Sequence, residues 1–266
     1  MINLDAKNNS SILQQVQNKQ DSIFERLASG KRINSAADGA AAQQIIDRLT
    51  AQENGLGQAV RNSLDGVSLA QVAEGGLSGI NNDVNRIREL SVQAGNGILS
   101  QSDRDAIQSE ISQLQGNIQQ TIDQTEFAGK PLLQSEGTLD FQVGANAGQN
   151  IGVNTQDFAS SLSGILSVDV STSQGAQDAL SIADTALETV GGARAELGAV
   201  QNQFESAARN LAQTQENVAA ANSRIGDTDF AQATAEQAAN SILSQSSIAV
   251  QAQANQRQSQ VLSLLG

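Results

Sequence analysis

Seven residues, Ala183, Val190, Leu197, Phe204, Leu211, Val218 and Ile225, follow one another at seven-residue intervals without a break. A period of seven suits an α-helix that keeps one seam against its neighbours, so this stretch is committed to a coiled coil. The interleaved positions begin with Leu180 and Leu187 but continue with Gln201, Ala208, Gln215 and Asn222. Such polar residues would weaken a two-stranded zipper, which calls for more than one neighbouring helix. The bundle seam is assigned to Val190, Leu197, Phe204, Leu211, Val218 and Ile225, with Ser171 and Gln174 as the capping box that opens the helix.

Two further helices follow from the same periodicity. Val67, Ala70, Ala73, Leu77, Ile80, Val84 and Ile87 share one face of a helix that starts after a cap at Ser35-Ala36-Ala37-Asp38 and stops at Gly95-Asn96-Gly97. Ile107, Ile111, Leu114, Ile118 and Ile122 form the stripe of another, starting at Ser102-Asp103-Arg104-Asp105 and closed by Gly129-Lys130-Pro131. Strand-like alternation occurs at Leu139, Phe141 and Val143, and again at Ile151 and Val153 after a turn at Asn146-Ala147-Gly148. This predicts one β-hairpin near residues 138–154. The Ser-rich stretch from Ser160 to Ser173 reads as irregular or weakly extended.

The ends of the chain keep a register that chain ends ordinarily lack. Ile2, Ala6, Leu13, Val16, Ile23 and Leu27 form one apolar series, and Leu243, Val250, Ala254, Val261 and Leu264 another. From Ala231 onward only Glu236 and Arg257 are charged, amid Gln, Ser, Ala and Asn. That helix is too polar for lipid and too weakly charged for an ordinary solvated face. Leu13, Val16, Ile23, Leu27, Leu243, Val250, Val261 and Leu264 are therefore candidate assembly residues, needing cover from elsewhere.

Lengths set the expected shape. A helix from about Asp38 to Ala94 is roughly 85 Å long at 1.5 Å per residue, while a compact chain of this size has a radius of gyration of ~18 Å. The expectation is an elongated antiparallel helical bundle, mainly α, in which the first and last thirds pair. Gly75, Gly76, Gly79, Gly191, Gly192 and Gly198 would each cost about 1 kcal/mol relative to Ala. They imply either close helix approach or a marginally folded monomer.

Composition excludes most chemistry. Cys, His, Trp and Tyr are absent and Pro occurs once, so thiolates, imidazole bases and the usual metal ligands are missing together. Twenty-eight acidic against 15 basic residues give a net charge of -13, with no basic run to follow a phosphate backbone. No nucleic acid, membrane insertion, cofactor or metal is expected, and no enzymatic activity. Asp227-Thr228-Asp229 lacks the rest of a calcium loop and reads as a helix cap. Gly55-Leu56-Gly57 lacks the third glycine of a dinucleotide fingerprint. Asn8-Asn9-Ser10-Ser11 holds nominal sequons inside a helical heptad, and Ser171-Thr172-Ser173 suits a capping segment better than a glycan site.

At Leu27-Ala28-Ser29-Gly30-Lys31-Arg32-Ile33-Asn34-Ser35-Ala36-Ala37-Asp38 the sequence resembles the signature of bacterial flagellins. The resemblance continues at Gln71 to Leu77, Arg86 to Ala94, Phe141 to Gly148, Arg194 to Asn202, Ser223 to Phe230, Ala252 to Gln256 and Val261 to Leu265. The variable outer domains of larger relatives are lacking. The resemblance implies an axial core of residues 1–38 and 230–266 lining a channel, and an outer helical rod of residues 39–229. It implies a secreted, extracellular flagellar filament subunit, exported unfolded by the type III apparatus and polymerising head-to-tail, with terminal segments disordered until neighbours cover them. Itself, an export chaperone, and cap and junction proteins would be its partners. A Toll-like receptor of innate immunity would meet Arg86, Leu90 and Glu110. Two alternatives are a hook-filament junction protein, disfavoured by the middle stretches, and a peptidase-bearing flagellin, which would need an inserted domain and metal ligands.

Overall fold

The computed structural model describes the backbone of residues 2–265 and the side chains of residues 11–257 and 260. Helix α1 (Ile2–Ser29), α2 (Ala36–Ala94) and α3 (Gln101–Gln124) come first. Strands β1 (Glu126–Phe127), β2 (Lys130–Pro131), β3 (Gly137–Gln142) and β4 (Asn150–Thr155) follow. Short helices α4 (Phe158–Ser161) and α5 (Ser163–Leu166) then lead into α6 (Ser173–Gly226) and α7 (Phe230–Leu265). The fold is mainly α, with two small antiparallel two-stranded sheets, β1 with β2 and β3 with β4.

The chain divides into two compact units, residues 1–53 with 216–266, and residues 54–215. This division falls inside α2 and α6, whereas the boundaries near residues 38 and 230 drawn from sequence lie beside the turns that join α1 to α2 and α6 to α7. The reason is local packing in the first unit. Ile46 covers Gly226, where an added Cβ would meet its side chain at 3.3 Å, and Asn222 Nδ2 donates to Thr50 Oγ1 at 3.2 Å. Gly39, extended at φ 163°, marks the kink at which the helical run of α2 becomes continuous.

In the second unit α6 runs antiparallel to α2. Going along α2, Gly66 faces Phe204, Glu74 faces Arg194 at 3.6 Å, Arg88 Nε meets Asp184 Oδ1 at 2.7 Å, and Gly95 neighbours Ala176. Helix α3 also returns along α2, so that Arg86 meets Glu110 and Gly76 meets Thr125. The predicted stripes close on one core: Leu77, Ile80, Val84 and Ile87 from α2, Ile107, Ile111, Ile118 and Ile122 from α3, and Val190, Leu197 and Phe204 from α6. Hairpin β3–β4 places Leu139 opposite Val153 and Phe141 opposite Ile151, and the Phe141 ring meets Phe204 edge-on at 5.3 Å between centroids.

The seam of α6 is sealed only in part. Val190, Leu197 and Phe204 are buried, with Phe141 of the hairpin against Phe204, but Leu211, one heptad further on, is half-buried. Val218 and Ile225, in the first unit, are half-buried too. Three local expectations also change. Helix α3 is capped at Ser100, whose hydroxyl accepts from Asp103 N while Asp103 Oδ2 accepts from Ser100 N at 3.0 Å. Thr172 Oγ1 accepts from Gly175 N at 3.0 Å and caps α6, because Ser171 N is already held by Asp169 Oδ1 at 2.8 Å. The Ser-rich stretch forms α4 and α5, since Leu162, Ile165, Val168 and Val170 bury among its serines.

The glycines divide similarly. An added Cβ would find nothing within 4 Å at Gly75, Gly79, Gly191, Gly192 or Gly198, so no close approach occurs there. It occurs at Gly76, against Thr125, and at Gly66, where a Cβ would lie 2.5 Å from the Phe204 ring.

Candidate assembly surface

In the first unit α1 and α7 pack antiparallel. Ile23 and Arg26 share a concavity with Ala233 and Glu236, while Ile12, nearer the N-terminus, shares one with Leu243, Ser247 and Val250. The heptad stripe of α1 explains the contact: Val16 and Ile23 are buried, Leu13 and Leu27 half-buried. The sequence reading holds that one chain cannot bury both terminal stripes; here α7 covers the stripe of α1 at Val16 and Ile23.

Among the described residues the stripe of α7 is covered only in part, with Leu243 and Val250 beside Ile12 of α1. Leu243 is 50% and Val250 54% exposed, beside Ile242 at 65% and Ile248 at 55%. Ile12 and Phe24 of α1 and Phe230 of α7 are exposed as well. Large apolar residues left open on helices that carry almost no charge make this a candidate interaction surface. The heptad reading omits Ile12, Phe24, Ile242 and Ile248, which stand off register; large apolar residues in helices otherwise built of Gln, Ser and Ala are the signal that would find them. The side chains of Ile2, Ala6, Val261 and Leu264 lie outside the described residues.

The turns beside this surface are fastened to each other. Gly30 sits at φ +69°, a left-handed conformation suited to the end of α1. Thr228 N donates to Gly30 O at 2.9 Å, Arg32 N to Gly226 O at 2.6 Å, and Arg32 Nη2 to Ile225 O at 2.7 Å. Lys31 Nζ and Asp227 Oδ1 are 3.1 Å apart. Asp229 caps α7 by accepting from Ala231 N at 2.9 Å and Gln232 N at 3.2 Å, the role expected for this segment.

Two carboxyls here titrate below the ordinary carboxylate range. Asp227 is lowered first by the Ser223 hydroxyl and then by Lys31, and Asp38 by the backbone N–H groups of Ser35 and Asn34. A folded-state value below the unfolded one stabilises above the unfolded pKa, about 3.9, and that stabilisation is lost as pH falls through the lower folded value. Thermal unfolding followed by circular dichroism should show a melting temperature that falls below about pH 4. An Asp38→Asn, Asp227→Asn double variant should lose part of that slope; an unchanged slope would show that these turns contribute nothing.

The residues set aside for receptor contact lie in the second unit. Arg86 donates from Nη2 and Nε to Glu110 Oε1 at 2.7 and 3.0 Å and from Nη1 to Glu89 Oε2 at 3.1 Å, leaving a partly exposed ionic cluster. Leu90 differs from the expectation. At 2% exposure it belongs to the core between α2 and its neighbours, so its side chain offers no contact surface. Among the described residues no group of three or more His, Cys, Asp or Glu is placed to hold a metal, and no helix is long and apolar enough to cross a membrane.

Long paired helices with an apolar face left open define a helical structural protein. The family model of the bacterial flagellin N-terminal helical region matches residues 2–138, and that of the bacterial flagellin C-terminal helical region matches residues 180–265. The chain is 39% identical over 251 residues to a flagellin of Halalkalibacterium halodurans, covering 93% of this chain and 92% of that one. It is 40% identical over 277 residues to a flagellin of Bacillus subtilis, covering 91% of each. The flagellar filament 30.7 kDa core protein of Treponema maltophilum is 37% identical over 258 residues, with 91% and 90% covered. Among solved structures, Bacillus cereus flagellin superposes with a TM-score of 0.53 at 25% identity, over 57% of this chain and 88% of that one. A Vibrio parahaemolyticus structure described as a flagellar hook-associated protein gives 0.61 at 13% identity, over 71% and 100%, a likeness of fold alone. The chain belongs to the bacterial flagellin family.

Proposed function

We propose that this protein is the structural subunit of a bacterial flagellar filament, a helical polymer of many copies that serves motility, and that it has no catalytic role. The observation that supports this reading is the set of large apolar residues left open on the paired terminal helices, Leu243 and Val250 of α7 among them. Contacts between copies are head-to-tail and heterologous, which gives an open helix and not a closed ring. Residues 1–38 and 230–266 form the axial core, with the weakly charged α7 suited to a channel wall that passes unfolded chains. The route out of the cell is the flagellar type III apparatus, with a chaperone covering the exposed C-terminal segment until export and cap and junction proteins meeting the filament at its ends. Mass per length of purified filaments tests the reading: this chain should account for nearly all of it. A chain found in only a few copies per filament would overturn it.

The ionic cluster of Arg86 and Glu110 supports recognition of the free subunit by a Toll-like receptor. The monomer should activate the receptor, the closed filament should not, and Arg86→Ala should reduce the monomer's signal. Unaltered signalling by Arg86→Ala would remove the assignment. Leu90 is left out of the test because truncating a core residue would damage the fold.

A further inference from the structure

A cavity of about 390 Å³ lies between α1 and α7, with Lys19, Ser22, Arg26, Glu236 and Asn240 as its polar lining. Its chemistry is lopsided toward donors. Asn240 is only 9% exposed, and its Nδ2 is buried without a hydrogen-bond partner; Arg26 Nε is in the same condition. The one carboxylate present, Glu236, accepts from Gln232 Nε2 at 3.1 Å and shares the lining with two cations, Lys19 and Arg26. Buried donors in folded proteins nearly always find an acceptor, and leaving them unpaired is costly. These two donors lack an acceptor, and the two cations against one carboxylate in the lining favour an anionic one.

Helix α1 carries a matching group on its other side. At 3.6 residues per turn, Asp21 stands across the helix from Lys19 and Arg26, and it is exposed. Its neighbour on that side, Glu25, is engaged by Asn34 Nδ2 at 3.0 Å. Building on the polymer reading above, we propose that the cavity receives the Asp21 carboxylate of a second copy. Each copy then presents the socket on one side of α1 and the plug on the other. A heterologous pair of this kind propagates from copy to copy, and the exposed Phe24, on the Asp21 side of the same helix, would be covered by the same contact.

The test measures critical concentration for polymerisation of the full chain by sedimentation. Asn240→Leu removes a buried unpaired donor at similar volume. Its monomer should melt no lower than wild type, while its critical concentration rises about tenfold, the loss expected for a charge-assisted hydrogen bond. Asp21→Lys, at an exposed site, should raise it as much, and so should Arg26→Glu. The Asp21→Lys, Arg26→Glu double variant should recover most of the loss, because plug and socket have exchanged charge. If Asn240→Leu or Asp21→Lys polymerises like wild type, or if the double variant is no better than Arg26→Glu alone, the socket is wrong. Wild-type filaments in the same assay would leave the polymer reading standing; their absence would strike that reading instead.

Discussion

Phe204→Ala should lower the melting temperature of the second unit by roughly 6 to 20 °C, the shift that a loss of about 3–5 kcal/mol produces in a unit of this size. The ring is fully buried, lies over Gly66 and stacks edge-on against Phe141 of the hairpin. Helix α2 and the hairpin therefore lose their common partner on α6 at once. Gly66 has no side chain that could move into the void, so little of the cavity can collapse. Calorimetry of the full chain would report the change, and a shift of less than a few degrees would show that the seam does not hold the hairpin to the helices. Near-ultraviolet signals of the remaining phenylalanines would show whether Phe141 loses its fixed environment.

Charging the open stripe should have the opposite profile, leaving the monomer intact and abolishing the polymer. Leu243 and Val250 are half-exposed in the single chain, so Leu243→Asp with Val250→Asp removes little internal packing. Once a neighbour covers these positions, each aspartate becomes a buried carboxylate without a partner, at a cost of several kcal/mol. Two such costs are repeated at every added subunit, and the critical concentration should rise by about 100-fold or more. Circular dichroism of the variant should match wild type in helix content and melting.

The long helices were legible in the sequence because their burial follows a strict period. Ile80, Val84, Ile87, Ile111, Ile118 and Ile122 stand where the stripes put them, all fully buried. Side chains that depend on a distant element were not legible. Leu211 continues the heptad but lies one repeat of it past Phe204, where Phe141 of the hairpin covers the seam, and no local pattern reports where such a partner stops. Leu90 sits in a motif that resembles a receptor surface, yet its burial is fixed by the packing of α2 in the second unit. Gly66 looks like any helical glycine until Phe204, 138 positions later, is placed over it. At the assembly surface the sequence marks apolar residues that need cover without saying who supplies it. For Val16 and Ile23 the cover comes from the same chain, and for Leu243 and Val250 it does so only in part.

Seeded sedimentation separates these two kinds of residue most directly. Filament fragments would be added to wild-type monomer and to the Leu243→Asp, Val250→Asp variant at the same concentration, and the pelleted fraction measured. Wild type should elongate the seeds and pellet, while the variant, equally helical, should remain in the supernatant. A variant that pellets as filaments at wild-type concentration would contradict the claim that the open face of α7 is the surface on which copies assemble.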